Sequence, residues 1–170
     1  MLRAIETGVA AMDKVEFLLI GHLVGVFIMV GVAGLSTTVG IVTAQIKDVR
    51  TSAFLLDLQH KAEIYGTSAG AVITVLFALF LVDETGHEFS EGWISAAFVL
   101  IIAALGVDHG YLMPQNRKAR KRAQELLDKG TTQSAELPKS IGRPLPTVLG
   151  ILLDVSFLGF LYLMVVRPGA

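Results

Sequence analysis

The stretch VEFLLIGHLVGVFIMVGVAGLSTTVGIVTAQ, Val15 to Gln45, carries no formal charge after Glu16 and decides the fold class. As a helix it is roughly 46 Å long, against a bilayer hydrocarbon core of about 30 Å. A membrane span uses that length by tilting or by projecting from the bilayer at its Thr43–Gln45 end. Three more apolar runs follow, at about 64–82, 92–113 and 147–166. Of the whole chain, 53% is apolar and only 17% charged, and mean hydropathy is +0.64. A soluble domain carries about a quarter charged residues, so this surface belongs in lipid. The sequence therefore predicts an all-α integral membrane four-helix bundle, one transmembrane domain over 1–170. Its connections at 46–63 and 114–146 lie on one side of the membrane.

Charge orients the bundle. The two connections hold Lys47, Arg50, Lys61, Arg117, Lys118, Arg120, Lys121, Arg122, Lys129, Lys139 and Arg143, which is 11 of the 14 basic residues. The opposite side has Arg3, Lys14 and Arg167. The positive-inside rule then puts both termini on the outer side and the two connections in the cytoplasm. Met1 to Lys14 reads as a short amphipathic lead-in without the compact apolar stretch and cleavage site of a secretory signal. The Thr131–Pro146 segment, with three of the five prolines, reads as an irregular loop. No internal repeat supports an inverted-repeat transporter.

Close packing is prominent in the spans. Gly21 and Gly25, Gly66 and Gly70, and Gly106 and Gly110 are three i,i+4 glycine pairs, the spacing that lets helix backbones approach in lipid. A seven-residue stripe of His22, Met29, Ser36 and Thr43, flanked by Gly25, Val32 and Val39, extends this into a seam along the first span. The seam predicts contacts with the other spans, with partner subunits or with a second copy.

Intramembrane ionisable groups are costly, so each is a functional candidate. Asp108 and His109 near the inner end of the third span, and Asp154 in the fourth, fall at one depth, roughly 6–10 Å below the cytoplasmic boundary. Arg117 and Arg143 are their nearest prospective counter-charges. His22 lies towards the outer surface. A b-type haem held between His22 and His109 is disfavoured, because the two histidines occupy opposite leaflets. His22, Met29 and His87 are the candidate ligands for a soft metal, a reading weakened by the absence of cysteine. Arg117, Lys118, Arg120, Lys121 and Arg122 stand at a membrane exit and predict attraction to anionic lipid headgroups. The run is short and lacks interleaved aromatics, so nucleic acid is not an expected partner. No phosphate-binding glycine loop, HExxH or G-x-S-x-G motif is present, and no enzyme signature emerges.

Several short motifs carry a resemblance over most of the chain. They are Gly21-His22-Leu23-Val24-Gly25, the glycine-broken start of the second span, Met113-Pro114-Gln115 followed by basic residues, and Leu161-Tyr162-Leu163-Met164-Val165-Val166-Arg167-Pro168. In these the chain resembles a bacterial family of four-span integral membrane proteins without an established function. That family is itself distantly similar to the copper-resistance D membrane proteins. The resemblance implies a multi-pass protein of the bacterial inner membrane and, through copper, an interest in His22.

Three functions follow as expectations. The first is a non-catalytic accessory or assembly subunit of a larger membrane complex, with no cofactor. The second is a small cation, proton or copper transport element using the intramembrane His and Asp residues. The third is a haem or metal redox protein.

Overall fold

The computed structural model describes residues 12–169 of the chain. Nearly all of the lead-in read from Met1 to Lys14 falls outside them. Asp13 starts the first helix, α1 (Lys14–Thr43), through a capping box: its carboxylate accepts from Val15 N–H, and Glu16 returns to the Asp13 N–H. This arrangement satisfies the amide donors that a helix start leaves free.

Two long rods follow, each continuous across what the sequence divides into span and connection. The first is α2 (Val49–Ala62), a π-turn (Glu63–Thr67) and α3 (Ser68–Glu84), 36 residues in all. The second is α4 (Gly92–Val107), a π-turn (Asp108–Leu112) and α5 (Met113–Asp128), 37 residues. A short α6 (Glu136–Ile141) and the 23-residue α7 (Pro144–Val166) complete the chain. Pro144 and Pro146 are tolerated in the first turn of α7, where the missing N–H would have had no helical acceptor. Four helices are thus long and apolar enough to cross a membrane, and the described chain is helical apart from its turns and one isolated bridge.

The spans converge on a cluster of Met29, Ala71 and Ile101, flanked by Val75, Phe98, Leu105, Phe157 and Phe160. Every spanning helix contributes. The stripe read along α1 faces this interior: His22, Gly25, Met29, Val39 and Thr43 are all buried. Gly25 and Gly70 bring α1 and α3 into backbone contact. A Cβ on Gly25 would lie 2.6 Å from Thr74 N and 2.9 Å from Gly70 O. Gly21 and Gly66 accommodate the Phe77 and Val32 side chains in the same interface. The third pair is different. A Cβ on Gly106 or Gly110 would meet nothing within 4 Å among the described residues, so the expected helix contact there is not made within the chain. The main packing neighbour of α4 outside its own rod is α7.

Beyond the spans, α2, α5 and α6 form a compact head. Ala53, Leu56, Ala123 and Leu137 are its buried centre, with Ala119, Leu126, Leu127 and Ile141 packed around them. Asp57 ties α2 to α5 by accepting from Arg120 at 2.7 Å, and it also accepts from Lys61 on its own helix at 2.8 Å. Asp48 caps α2 through Thr51 N–H at 2.7 Å, and the Thr51 side chain together with that N–H holds its carboxyl below the usual range. A bridge from Asp48 to Gln133 fastens the segment after α5, with Val49 N–H donating to Thr132 O and Ser134 N–H to Lys47 O. The segment expected to be irregular therefore contains α6 and the first turn of α7. Leu137, fully buried, is the reason it orders.

At the far end, Lys14 pairs with Glu84, joining the start of α1 to the end of α3. Glu91 gathers its own loop, accepting from Glu88 N–H at 2.8 Å and Trp93 Nε1 at 2.9 Å, with His87 Nδ1 at 2.9 Å. These donors hold its carboxyl below the usual glutamate range. Arg167 lies over the Trp93 ring at 5.5 Å and so connects the end of α7 to the start of α4.

Candidate functional site

The two π-turns build the most unusual part of the molecule. Each begins with an acid and contains a tyrosine and a glycine: Glu63-Ile-Tyr-Gly-Thr and Asp108-His-Gly-Tyr-Leu. Ser68 N–H reaches back to Glu63 O, and Met113 N–H to Asp108 O, the wider spacing that inserts one residue into the helix. A residue just beyond each turn reaches the other rod's turn. Asn116 Nδ2 donates to Glu63 Oε1 at 2.6 Å, and Ser68 Oγ stands 3.3 Å from His109 Nε2.

Glu63 is the centre of the site. It is only 2% exposed. Its Oε1 accepts three bonds from three elements: Asn116 Nδ2, Gln59 Nε2 at 2.9 Å and Ser36 Oγ at 3.3 Å. Its Oε2 and the Oε1 of Gln59, itself 2% exposed, are buried without a hydrogen-bond partner. No lysine or arginine pairs with Glu63, Asp108 or Asp154 among the described residues. Three donors organise one oxygen of a carboxylate, while the other oxygen and a neighbouring amide oxygen present lone pairs to nothing. An unmet carboxylate oxygen of this kind suits a proton or a small hard cation.

A cavity of about 110 Å³ adjoins this group. Gln59, Asp108, Asn116 and Asp154 line it, with Ser36, Thr37 and Thr67 adding hydroxyls. Ile141, Pro146 and Thr147 form its wall towards the head, and Met29, Ile101 and Phe157 close it against the apolar cluster. Asp108 and Asp154 thus share one cavity. Asp108 Oδ2 lies 3.2 Å from His109 Nδ1, but the His109 ring turns out towards Ser68 and is exposed. Arg117 does not supply the expected counter-charge, since its guanidinium contacts Met113 Sδ at 3.4 Å; nor does Arg143 form an ion pair among the described residues. Gly150, one turn before Asp154, approaches Thr37 on α1, which directs this face of α7 inward.

The soft-metal candidates occupy three separate settings. His22 Nδ1 stands 3.0 Å from Thr74 O and locks α1 to α3, Met29 sits in the apolar cluster, and His87 is held by Glu91 against Trp93. Among the described residues no group of three His, Asp or Glu side chains gathers around a point that would hold a metal ion. Of the basic exit, Arg120 pairs with Asp57, Arg122 with Glu136 at 3.5 Å, and Lys121 approaches Glu125 at 3.9 Å.

Comparison with protein-family models, with curated proteins and with solved structures gave no match. The functional reading therefore rests on the site itself. Sequence reasoning placed Glu63 at the end of a connection and missed it. The available signal was Gln59 four residues before Glu63, on the face that continues into the apolar run from Ile64.

Proposed function

We propose that this membrane protein binds a proton or a small monovalent cation between its spans and moves it, with Glu63 as the binding carboxylate and Asp108 and Asp154 lining the approach. The observation that carries this reading is Glu63 itself: buried, braced by three donors on one oxygen, lacking a cationic partner, and leaving its other oxygen unmet. A side chain kept for packing alone costs less as a leucine, so a carboxylate at this depth argues for use. The positive-inside rule supports a cytoplasmic head, so the cavity's wall at Ile141 and Thr147 faces that side of an inner membrane.

In proteoliposomes carrying an imposed pH or alkali-cation gradient, the wild type should dissipate one of them. Glu63→Gln should slow that flux on the order of a hundredfold, the contribution of a positioned proton-transfer group. Glu88→Gln, in the opposite loop, should leave it unchanged. Full flux in Glu63→Gln overturns the proposal.

A second reading, an accessory subunit of a larger complex, is favoured by the uncovered Gly106–Gly110 edge of the second rod. That edge permits a further helix to approach closely. Extraction in mild detergent should then yield a particle well above 18.2 kDa of protein. A single-chain particle removes this second reading and leaves the first untouched.

A further inference from the structure

The five basic residues at the membrane exit do not share one environment. Helical spacing puts Arg117, Arg120, Lys121 and Gln124 on one stripe of α5. They line a groove whose other wall is His60 and Ile64 from the first rod. Lys118 and Arg122 lie outside it, and Arg122 turns to Glu136. The groove therefore concentrates three cations and an imidazole between two rigid helices. Asp57 is paired into it at close range, through Arg120. Among the described residues the Arg117 guanidinium hydrogen-bonds to the Met113 sulfur and to no acid, Lys121 reaches Glu125 at no better than 3.9 Å, and His60 Nδ1 is shielded without a hydrogen-bond partner.

The depth of the groove identifies its occupant. The Asn116–Glu63 bond fixes the level at which α5 meets the first rod, so Arg117 stands beside Ile64. Ile64 is also the first residue of the apolar run that enters the membrane, and it and the neighbouring Tyr65 are exposed. The groove is thus cationic at its upper end and apolar at its lower end, at the boundary where a phospholipid presents a phosphate above an acyl chain. We propose that it is a binding site for one anionic phospholipid, the phosphate held by Arg117, Lys121 and His60 and the chain lying along Ile64. Arg120, already bonded to Asp57, sets the wall of the site. This inference is independent of the ion-handling role of Glu63.

The test compares two double variants that remove the same charge from the same helix. Protein is placed in nanodiscs of phosphatidylcholine with increasing phosphatidylglycerol, and retained lipid is counted by native mass spectrometry. Arg117→Gln/Lys121→Gln should weaken phosphatidylglycerol retention about thirtyfold, for two contacts at the usual worth of a basic residue near an anionic surface. Lys118→Gln/Arg122→Gln should stay within about twofold of wild type, since those residues contribute only the diffuse field. Equal losses in the two variants overturn the site in favour of general surface attraction. Retention of phosphatidylcholine equal to that of phosphatidylglycerol overturns it as well. Displacement of the lipid by millimolar inorganic phosphate would reassign the groove to a free anion and overturn the lipid. Should the first pair fail to fold, His60→Leu with wild-type arginines carries the comparison: a selective loss of phosphatidylglycerol supports the site, and unchanged retention counts against it.

Discussion

Replacing Gly25 by alanine is expected to cost about 1–3 kcal/mol, while alanine at Gly106 or Gly110 is expected to cost nothing or to stabilise by up to about 1 kcal/mol. The two kinds of site differ in what the added methyl meets. At Gly25 it would lie 2.6 Å from both the amide nitrogen and the hydroxyl of Thr74, and 2.9 Å from the Gly70 carbonyl. Two of those atoms are backbone and can yield only if α1 and α3 separate. Separation also strains the His22–Thr74 contact, since Thr74 is the residue that both His22 and Gly25 rest on. At Gly106 and Gly110 the space is open, so alanine brings its helix propensity and no clash. In a chain of this size the Gly25 variant should melt roughly 3–10 °C lower in detergent. The reverse order, with Gly106→Ala the more damaged, would contradict the packing described here.

The second large effect concerns Glu63→Gln. This variant should lose flux yet gain stability, by about 1–3 kcal/mol at neutral pH in buffer free of alkali cations. An amide keeps the oxygen that accepts from Asn116, Gln59 and Ser36, so the three bonds that shape the site survive. What disappears is a buried carboxylate with no cation beside it. Gain of stability with loss of function separates a functional carboxylate from a structural one, because a structural carboxylate would destabilise the fold when neutralised. Thermal unfolding of both proteins provides the measurement. A variant less stable than wild type would place Glu63 among the residues that hold the bundle together. Salt of a cation that the site accepts should narrow the difference by stabilising only the wild type.

The four spans were legible because an apolar run of the right length has few other interpretations, and Val15–Gln45 exceeds what any soluble core would ask of it. The α1–α3 seam was legible from Gly21, Gly25 and the heptad stripe, since a helix has one period and those residues fall on one side of it. Three things were not. Asp108 rather than His109 faces the cavity because it continues the Ile101, Ala104 and Leu105 stripe at ordinary helical spacing, while the Gly106–Gly110 pair points to the opposite choice of packing face. Glu63 stands beside the first residue of an apolar run, where a charge reads as an ordinary boundary marker; Asn116 and Ser36, brought in from other parts of the chain, join the local Gln59 around it. The Gly106–Gly110 spacing repeats the motif that joins α1 to α3, yet among the described residues no helix approaches it. Spacing shows that a face permits approach, and only the fold shows what approaches.

Leu137 has a consequence in time as well as in space. The centre of the head is assembled from Ala53 and Leu56 early in the chain, Ala123 late in the second rod, and Leu137 later still. While the protein is being synthesised, α2 and α5 can stand side by side once residue 128 has emerged, but their shared interior stays open to water until α6 arrives. Three spans are therefore committed before the head closes. The bridge between Asp48 and Gln133 is the first tether that brings the late segment back to the early one. Closing the head leaves only the stretch from Gly142 onward to be placed, so the last helix enters a bundle whose other members already have a fixed end.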